Sequence, residues 1–327
     1  MDTSVDQQDI PSVSDDPAQD GAAPAGETSR GVREVLVVAH PRRPFVRDSA
    51  QRVLDQLTAA GIRPRVLGDE AGQLDLSCAA VVDADAGAAA GVELVLVLGG
   101  DGSLLRGADL ARSADAPLLG VNLGHIGFLA EAESEDIDDT VAAVIARDYT
   151  VEERMTLDVT IRKGQELLGR NWALNEMALE KGQPGKLLDV VVEIEGRPLS
   201  RWSCDGAVCA TPTGSTAYAF SAGGPVVWPS VEALLVVPLS AHALFARPLV
   251  VGPDVMVAFE VLGKEKAVLS CDGRRPSDVL PGSRVEVTRG AHPVRLARVR
   301  PNPFTDRLVA KFELPVEGWR GRSRPDR

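Results

Sequence analysis

One aspartate stands inside a cluster of glycines directly after a strongly apolar segment. The cluster is Gly99, Gly100, Asp101 and Gly102, and it follows the run 92–98, in which Glu93 is the only polar residue. Glycine lets backbone N–H groups approach a bulky anion closely, and a carboxylate among them can accept a proton or hold a metal ion. The combination indicates phosphoryl transfer, although Asp-Gly is also a common turn sequence and a plain turn is the alternative.

Other glycine-rich phosphate motifs fail on spacing. A dinucleotide fingerprint that starts at Gly100 needs a glycine at position 105, where the chain has Leu105. The Gly185-Lys186 pair is followed by Leu187 rather than Ser or Thr, so it is not a Walker A motif. The chain also has no Gly-x-Ser-x-Gly nucleophile elbow.

A second candidate segment, residues 211–225, is dense in hydroxyl groups and small side chains. We expect Thr213 or Ser215 to cap a short helix there and Gly223 to end it. A helix N-terminus rimmed by hydroxyls binds phosphate or ribose readily, and Tyr218 can lie against a base or ribose. A loop whose hydroxyls serve only as caps is the alternative.

Asn175 and Glu176 are adjacent polar residues inside the apolar segment 172–179. Burying them is costly unless they find partners, and a ligand with hydroxyl and amide groups would supply some. A bulge or a strand edge explains them equally well. Asp205, in Asp205-Gly206, and Lys186 are weaker candidates, because a turn and a flexible loop account for them without a ligand.

The first half of the chain contains the elements that must position the glycine cluster. Apolar runs predict strands at 34–39, 63–67, 93–98 and 117–122, and helical spacing predicts helices at 46–60, 103–114 and 136–147. This alternation predicts a doubly wound, mostly parallel sheet. The loops at His40, Gly99 and Asn122 would then lie at the carboxyl ends of strands, where ligands bind in such folds.

After about residue 148 the pattern changes to short alternating strands, at 156–161, 190–194, 255–262, 267–270 and 284–288. The predicted fold class is therefore an N-terminal mostly parallel α/β domain and a C-terminal antiparallel β-rich domain. The predicted boundaries are an acidic disordered tail at 1–31, the α/β domain at 32–148, the β-rich domain at 149–300, a segment at 301–318 that docks back on the first domain, and a loose tail at 319–327.

Composition narrows the functional class. The chain has 327 residues, a net charge of −12 and an isoelectric point near 4.9, which argues against non-specific nucleic-acid binding. Its four cysteines lack metal-ligand spacing, so we expect reduced thiols. The N-terminus lacks the pattern of a signal peptide and no segment has the composition of a membrane span, so we expect a cytoplasmic protein without membrane contact.

The order of these motifs resembles the NAD kinase family. The matching residues are 99–102, the run 121–129 (Val-Asn-Leu-Gly-His-Ile-Gly-Phe-Leu), Asn175-Glu176, Asp205-Gly206 and residues 211–225. The resemblance extends from about residue 33 to about 320. Diacylglycerol kinases and 6-phosphofructokinases share the Gly-Gly-Asp-Gly loop, and the run from Thr211 to Tyr218 distinguishes the NAD kinases from them.

The resemblance implies ATP-dependent phosphorylation of the adenosine-ribose 2′-hydroxyl of NAD, with Asp101 as the catalytic acid/base. It implies Mg²⁺ or another divalent cation, held mainly by the ATP phosphates, and no metal site made by the protein. NAD and ATP are the implied partners, in a homodimer or homotetramer. The implied phosphate-binding loop is Gly99, Gly100, Gly102 and Ser103. The implied substrate contacts are Asp101, Gly102, Arg106, Asn175, Glu176, Lys186, Asp205, Thr216, Ala217, Tyr218, Ala219, Phe220 and Ser221.

Two alternatives stay open at this stage. A non-catalytic sensor of NAD or NADP would retain the pocket, and the intact Asp101 argues against it. A lipid or sugar kinase would share the glycine loop, and residues 211–225 argue against that. The sequence leaves open whether polyphosphate replaces ATP, whether NADH is accepted, the size of the oligomer, and feedback by NADPH or NADH.

Overall fold

Strands and helices alternate in the first half of the chain, and strands dominate the second half, as the sequence predicts. The computed structural model describes residues 32–40, 46–76, 79–123, 127–130, 132–133, 136–300 and 303–316. The helices are α1 (Val46–Ala59), α2 (Gly68–Leu74), α3 (Asp101–Ser113), α4 (Ile137–Ala146), α5 (Tyr218–Ser221) and α6 (Phe304–Phe312). The first ten strands are β1 (Glu34–Ala39), β2 (Arg63–Leu67), β3 (Ala80–Val82), β4 (Leu94–Leu98), β5 (Leu118–Asn122), β6 (Ala132–Glu133), β7 (Thr150–Arg154), β8 (Leu157–Lys163), β9 (Glu166–Ala173) and β10 (Glu176–Lys181). The others are β11 (Leu188–Ile194), β12 (Arg197–Cys204), β13 (Gly206–Ala210), β14 (Leu234–Leu239), β15 (Leu249–Val251), β16 (Val257–Val261), β17 (Ala267–Cys271), β18 (Arg274–Val279), β19 (Arg284–Arg289) and β20 (Val294–Arg298).

A mixed sheet forms the centre of the first half. Its order is β3-β2-β1-β4-β5-β20-β7, with β6 paired to β5. All neighbours up to β20 are parallel, and only β7 pairs antiparallel. From β1 the chain builds outward to β2 and β3 on one side and then to β4 and β5 on the other. The crevice between the ends of β1 and β4 is therefore the point where the strand order reverses, which is where open sheets of this kind bind ligands.

Helices cover both faces of this sheet because its strands are buried on both sides. Every residue of β4 is buried, and α1 and α4 pack on one face while α3 packs on the other. The buried stripe of α1 is Val46, Ala50, Val53, Leu54 and Leu57, as the helical spacing predicts.

Two six-stranded antiparallel sheets make up most of the second half. Their orders are β15-β14-β13-β10-β17-β18 and β12-β11-β16-β19-β8-β9. Alternate residues of both sheets share one apolar core, whose largest fully buried side chains are Trp202 and Phe259. Cys204, Cys209 and Cys271 lie in this core as free thiols. The predicted fold class, with an α/β part and an antiparallel β-rich part, is confirmed.

The structure differs from the sequence prediction in several places. The short elements α2 and β3 were not predicted, because seven and three residues carry too little periodicity. The predicted strand starting at Glu93 begins one residue later, and the helix predicted from Ser103 begins two residues earlier, at Asp101. Strands β7 and β20 lie inside the predicted range 149–300 of the β-rich domain but belong to the mixed sheet. The domain boundaries stay a prediction.

The helix α6 lies where the chain was expected to return to the first domain. Its Phe304 and Phe312 rings stand 6.0 and 5.7 Å from the ring of Phe128, and they also contact Trp228 and Phe220 of the second half. The predicted tails, 1–31 and 319–327, lie outside the described residues. Within the part of the chain that the structure describes, no helix combines the length and apolar character needed to cross a membrane.

Candidate active site

The glycine cluster forms the junction between β4 and α3. Gly100 has an extended backbone and precedes the helix, and Asp101 is the first helical residue. The negative charge of Asp101 interacts favourably with the partial positive charge at the helix N-terminus, which explains why α3 begins earlier than predicted. A Cβ on Gly99 would lie 2.8 Å from Cβ of Ser103, so this turn requires glycine for space. Gly102 is exposed and has open space around it.

Two backbone amides hold the carboxylate of Asp101. The N–H of Phe128 donates to Oδ2 and the N–H of Leu129 donates to Oδ1, both at 3.2 Å. Gly127 packs so closely that a Cβ there would lie 2.8 Å from the Asp101 Cγ. The carboxylate therefore has one orientation, while each oxygen keeps a lone pair for another donor.

A pocket of about 440 Å³ opens beside the Phe128–Leu129 segment. Thr213 and Thr216 of the hydroxyl-rich segment line it, together with Trp228 and Phe304. The residues whose amides hold Asp101 thus line the same cavity as two hydroxyl groups of this segment. The cavity lining also carries charged side chains, including Glu152, Arg154 and Arg298, and the cavity volume is in the range of small-molecule sites.

The hydroxyl-rich segment folds differently from the prediction. It forms a 3₁₀ turn over Thr213–Thr216 and the four-residue helix α5, and neither has a side-chain cap. The capping prediction for Thr213 and Ser215 is wrong, because the Ser215 hydroxyl donates to the carbonyl of Pro212 instead. Thr211 anchors the segment: its hydroxyl donates to the Leu174 carbonyl at 2.6 Å.

The same segment packs directly on Asn175. The N–H of Thr211 donates to the Asn175 carbonyl at 2.8 Å, and a Cβ on Gly214 would lie 2.8 Å from the Asn175 Cα. Only glycine fits this approach of two backbones. The turn and the start of β10 are therefore packed tightly against each other.

Asn175 and Glu176 are buried, with 8% and 6% of their surface exposed. The Asp272 carboxylate accepts hydrogen bonds from the backbone N–H groups of Leu174, Asn175 and Glu176 at 2.9, 2.7 and 3.2 Å. Burial, and then the charge of Asp272, raise the pKa of Glu176 to about 8 against the weaker effect of the Tyr218 N–H. A protonated Glu176 can donate a hydrogen bond as well as accept one.

Asp205 lies beside a second pocket, of about 640 Å³, with Tyr218, Ser221, Glu180 and Lys181. Asp205 forms an ion pair with Lys181, and the Tyr218 hydroxyl donates to Glu180 at 2.9 Å. Burial and the bond to Glu180 raise the pKa of Tyr218 to about 12.

The remaining predicted residues are absent from the linings of these two pockets. Ala219 is buried, and Phe220 stacks on Phe312 at 4.6 Å. Ala217 connects the 3₁₀ turn to α5. The Arg106 guanidinium pairs with the carboxylates of Asp69 and Glu70 on α2.

The structure thus places Thr216 in the lining of the first pocket and Tyr218, Ser221 and Asp205 in the lining of the second. Asp101 is hydrogen-bonded to two lining residues of the first pocket, and Asn175 supports the turn that carries Thr216. Lys186 is exposed in the loop after β10, and neither pocket's lining includes it. Its substrate contact stays a prediction, as do the other residue roles.

Sequence reasoning missed several residues that organise this region. Gly127 stands in a matched motif but has no role assigned from the sequence, and Asp272 is not among the predicted site residues. The sequence offered a signal for Asp272: it follows directly on the apolar strand β17, as Asp101 follows β4. Glu70 had no such signal. Among the described residues, no group of three or more His, Cys, Asp or Glu side chains converges as a metal site.

Two protein-family models match this chain, one in each half of the fold. Residues 35–149 match the family model described as the ATP-NAD kinase N-terminal domain, and residues 174–299 match the ATP-NAD kinase C-terminal domain. An NAD kinase of Thermobifida fusca is 60% identical over 309 residues, covering 91% of this chain and 94% of the relative. NAD kinase 2 of Streptomyces coelicolor is 57% identical over 297 residues, covering 90% and 99%.

Solved structures show the same fold. Yeast NADH kinase in complex with NADH superposes with a TM-score of 0.77 at 24% identity, covering 88% of both chains. An NAD kinase from Archaeoglobus fulgidus in complex with ATP superposes with a TM-score of 0.64 at 22% identity, covering 86% of this chain and 99% of that one.

Proposed function

The chain belongs to the NAD kinase family and is a kinase that acts on NAD, and we propose that Asp101 is the general base of this transfer, with ATP as the phosphoryl donor. The acceptor is the 2′-hydroxyl of the adenosine ribose, and NADP is the product. The donor rests on the family description, which names ATP.

The single observation that carries the role of Asp101 is its carboxylate held by the Phe128 and Leu129 amides beside the pocket. Transfer through a loose transition state depends on positioning and charge neutralisation more than on covalent chemistry. The amides orient the carboxylate and leave a lone pair for the 2′-hydroxyl. Asp101 aligns that hydroxyl with the γ-phosphorus and takes its proton late in the transfer.

We propose that the dinucleotide is bound by the segments that meet at Asn175. Thr216 lines the first pocket, and Asn175 supports the turn that carries it. Glu176 accepts a hydrogen bond from the N–H of Tyr218, which stands with Asp205 at the second pocket. The Glu176 carboxyl, with its raised pKa, suits a ligand that presents both donors and acceptors. The other predicted dinucleotide contacts, Lys186, Ala217, Ala219, Phe220 and Ser221, belong to the same proposal. Gly102 and Arg106 are proposed to lie around Asp101, on the side of the donor phosphates.

We propose that the turn before α3 binds the phosphates. The N–H groups of Gly100 and Gly102 lie at a helix N-terminus, where anions are favoured. Gly99 and Ser103 belong to the same proposed loop and fix its shape, because their N–H groups donate to the carbonyls of Val121 and Gly100 at 2.9 Å. Mg²⁺ or another divalent cation would neutralise the donor phosphates. Both Asp101 oxygens already accept amide hydrogen bonds, so the residues present fit a cation held by phosphate oxygens and water.

We also propose a cytoplasmic homo-oligomer, a dimer or a tetramer, that binds neither nucleic acid nor membrane. The net charge of −12 supports the absence of nucleic-acid binding. Leu244 and Phe245 are adjacent in the chain and both expose large apolar side chains, which supports self-association.

The test of the base is Asp101→Asn. Loss of a general base typically costs roughly 10²–10⁴-fold in turnover. The asparagine amide can satisfy only one of the two N–H groups, so we also expect about 1–3 kcal/mol of lost stability. The measurement is NADP formation by a coupled assay, with NAD binding measured separately by calorimetry.

The matched control is Asp138→Asn, which removes an exposed carboxylate on α4 that pairs with Arg52. It should retain wild-type turnover. Near-normal turnover of Asp101→Asn would refute the assignment of the base. A wild-type protein that binds NAD but never phosphorylates it, with ATP or with polyphosphate, would instead favour a non-catalytic sensor.

A further inference from the structure

A buried carboxylate lies at the crevice between β1 and β4. Glu70, on α2, has 1% of its surface exposed, and its Oε2 accepts a hydrogen bond from the N–H of Ala39 at 2.8 Å. Ala39 is the last residue of β1 and stands in register with Leu98, the last residue of β4. Glu70 therefore contacts the end of β1 at the point of strand reversal, and the register partner of Ala39, Leu98, directly precedes the glycine turn at Gly99.

The second carboxylate oxygen of Glu70 faces a guanidinium. Its Oε1 is 3.0 Å from Nη1 of Arg106, but it is fully buried and makes no well-aligned hydrogen bond. The Nη2 of Arg106 donates to the exposed Asp69 at 2.9 Å. Two acidic side chains of α2 therefore hold one cation of α3.

The direction of Arg106 leads toward the glycine turn. Side chains on a helix lean toward its N-terminus, and the N-terminus of α3 is Asp101 itself. Because Glu70 is anchored at the end of β1, the guanidinium that it contacts is held at the same edge of the sheet. That edge is where the phosphates of a bound nucleotide are expected.

This arrangement is expensive for stability alone. A buried carboxylate loses its hydration, and a well-packed apolar residue often does as well in its place. Burial raises the pKa of Glu70 to about 7, against the Ala39 N–H and the charge of Arg106. A role for the carboxylate beyond packing accounts for its place in the crevice.

We propose that Glu70 is a positioning residue that, with Asp69, holds the Arg106 guanidinium at the crevice between β1 and β4 for the phosphates of ATP. The inference rests on the proposed use of ATP and extends it, because it assigns the phosphate-binding geometry of Arg106 to a residue outside the glycine turn. Glu70 itself touches no substrate. Because it orders the Arg106 side chain before ATP binds, less conformational entropy is lost on binding.

The test compares Glu70→Gln, Arg106→Ala and the double variant. Glutamine keeps the shape and the acceptor for Ala39 but presents no charge to Arg106. Ordering one long side chain corresponds to roughly 2–12-fold in affinity, so we expect KM for ATP to rise about three- to tenfold in Glu70→Gln. KM for NAD should stay within twofold of wild type. The double variant should match Arg106→Ala, because Glu70 acts through the guanidinium.

Glu93→Gln is the matched control. Glu93 is a carboxylate of the same sheet that also pairs with two arginines, Arg33 and Arg147, but it precedes β4 at the opposite edge. It should lower Tm and leave KM for ATP unchanged.

An unchanged KM for ATP in Glu70→Gln overturns the inference, and so do effects that multiply in the double variant. A loss of Tm without a change in KM also overturns it, because that marks a purely structural role. If the wild-type protein does not use ATP at all, the proposed donor fails, and that result is distinct from all of these.

Discussion

Gly127→Ala is the sharpest perturbation of the catalytic geometry, because it moves the Asp101 carboxylate without removing it. The added Cβ would lie 2.8 Å from the Asp101 Cγ, whereas carbon atoms in contact stand about 3.5–4.0 Å apart. One group must shift by roughly 1 Å, and a misplacement of that size costs on the order of 10²-fold in rate. At 1.36 kcal/mol per tenfold, this is about 2.7 kcal/mol of lost transition-state stabilisation.

The assay is steady-state NADP formation at saturating ATP and NAD, with thermal unfolding measured on the same samples. Gly169→Ala is the control, since the nearest atom to its added Cβ is a methyl carbon of Ile161 at 3.7 Å, which is ordinary contact. A folded Gly127→Ala protein with turnover within threefold of wild type would refute the argument that the Phe128 and Leu129 amides fix a catalytic carboxylate. A protein that retains Asp101 and yet behaves like Asp101→Asn would support it.

Two further outcomes are expected. Because the folded-state pKa of Glu176 is raised to about 8, its contribution to stability is present below pH 4.5 and is lost as the pH rises through 8. Between pH 4.5 and 8, the free energy of unfolding of the wild type should fall, relative to that of Glu176→Gln, by at most about 1.4 kcal/mol for each unit of pH increase. Urea unfolding at pH 5, 6.5 and 8 checks this, and parallel curves would contradict it. Gly214→Ala should cost about 1–3 kcal/mol, because its Cβ meets the Asn175 backbone, which cannot rotate away. It should also raise KM for NAD, and a wild-type KM would show that the packing of this turn does not shape the pocket; Gly169→Ala again serves as the control.

The elements that the sequence predicted well are those whose signal is local. The apolar run of β4 and the stripe of α1 depend only on neighbouring residues, so their type and burial followed from spacing. The place of β20 in the mixed sheet did not follow, because its strand pattern is the same whichever sheet it joins. The start of α3 was misplaced by two residues, since glycines in the turn obscure the helical spacing.

The site shows the same division. The sequence by itself determined which groups are available for chemistry: a carboxylate among glycines at Asp101, a buried polar pair at Asn175 and Glu176, and a hydroxyl-rich segment. It also determined the family, because the order and spacing of these motifs are highly specific.

Only the tertiary structure decided how the two carboxylates that organise the site are held. The Asp101 carboxylate accepts hydrogen bonds from backbone N–H groups 27 and 28 residues away along the chain. The Asp272 carboxylate accepts them from N–H groups 96 to 98 residues away. The physical reason is that the donors are backbone N–H groups. Every residue except proline carries one, so no side-chain pattern marks the residues that serve. Glycines such as Gly127 are required by how closely two segments approach, and that distance exists only once the chain has folded.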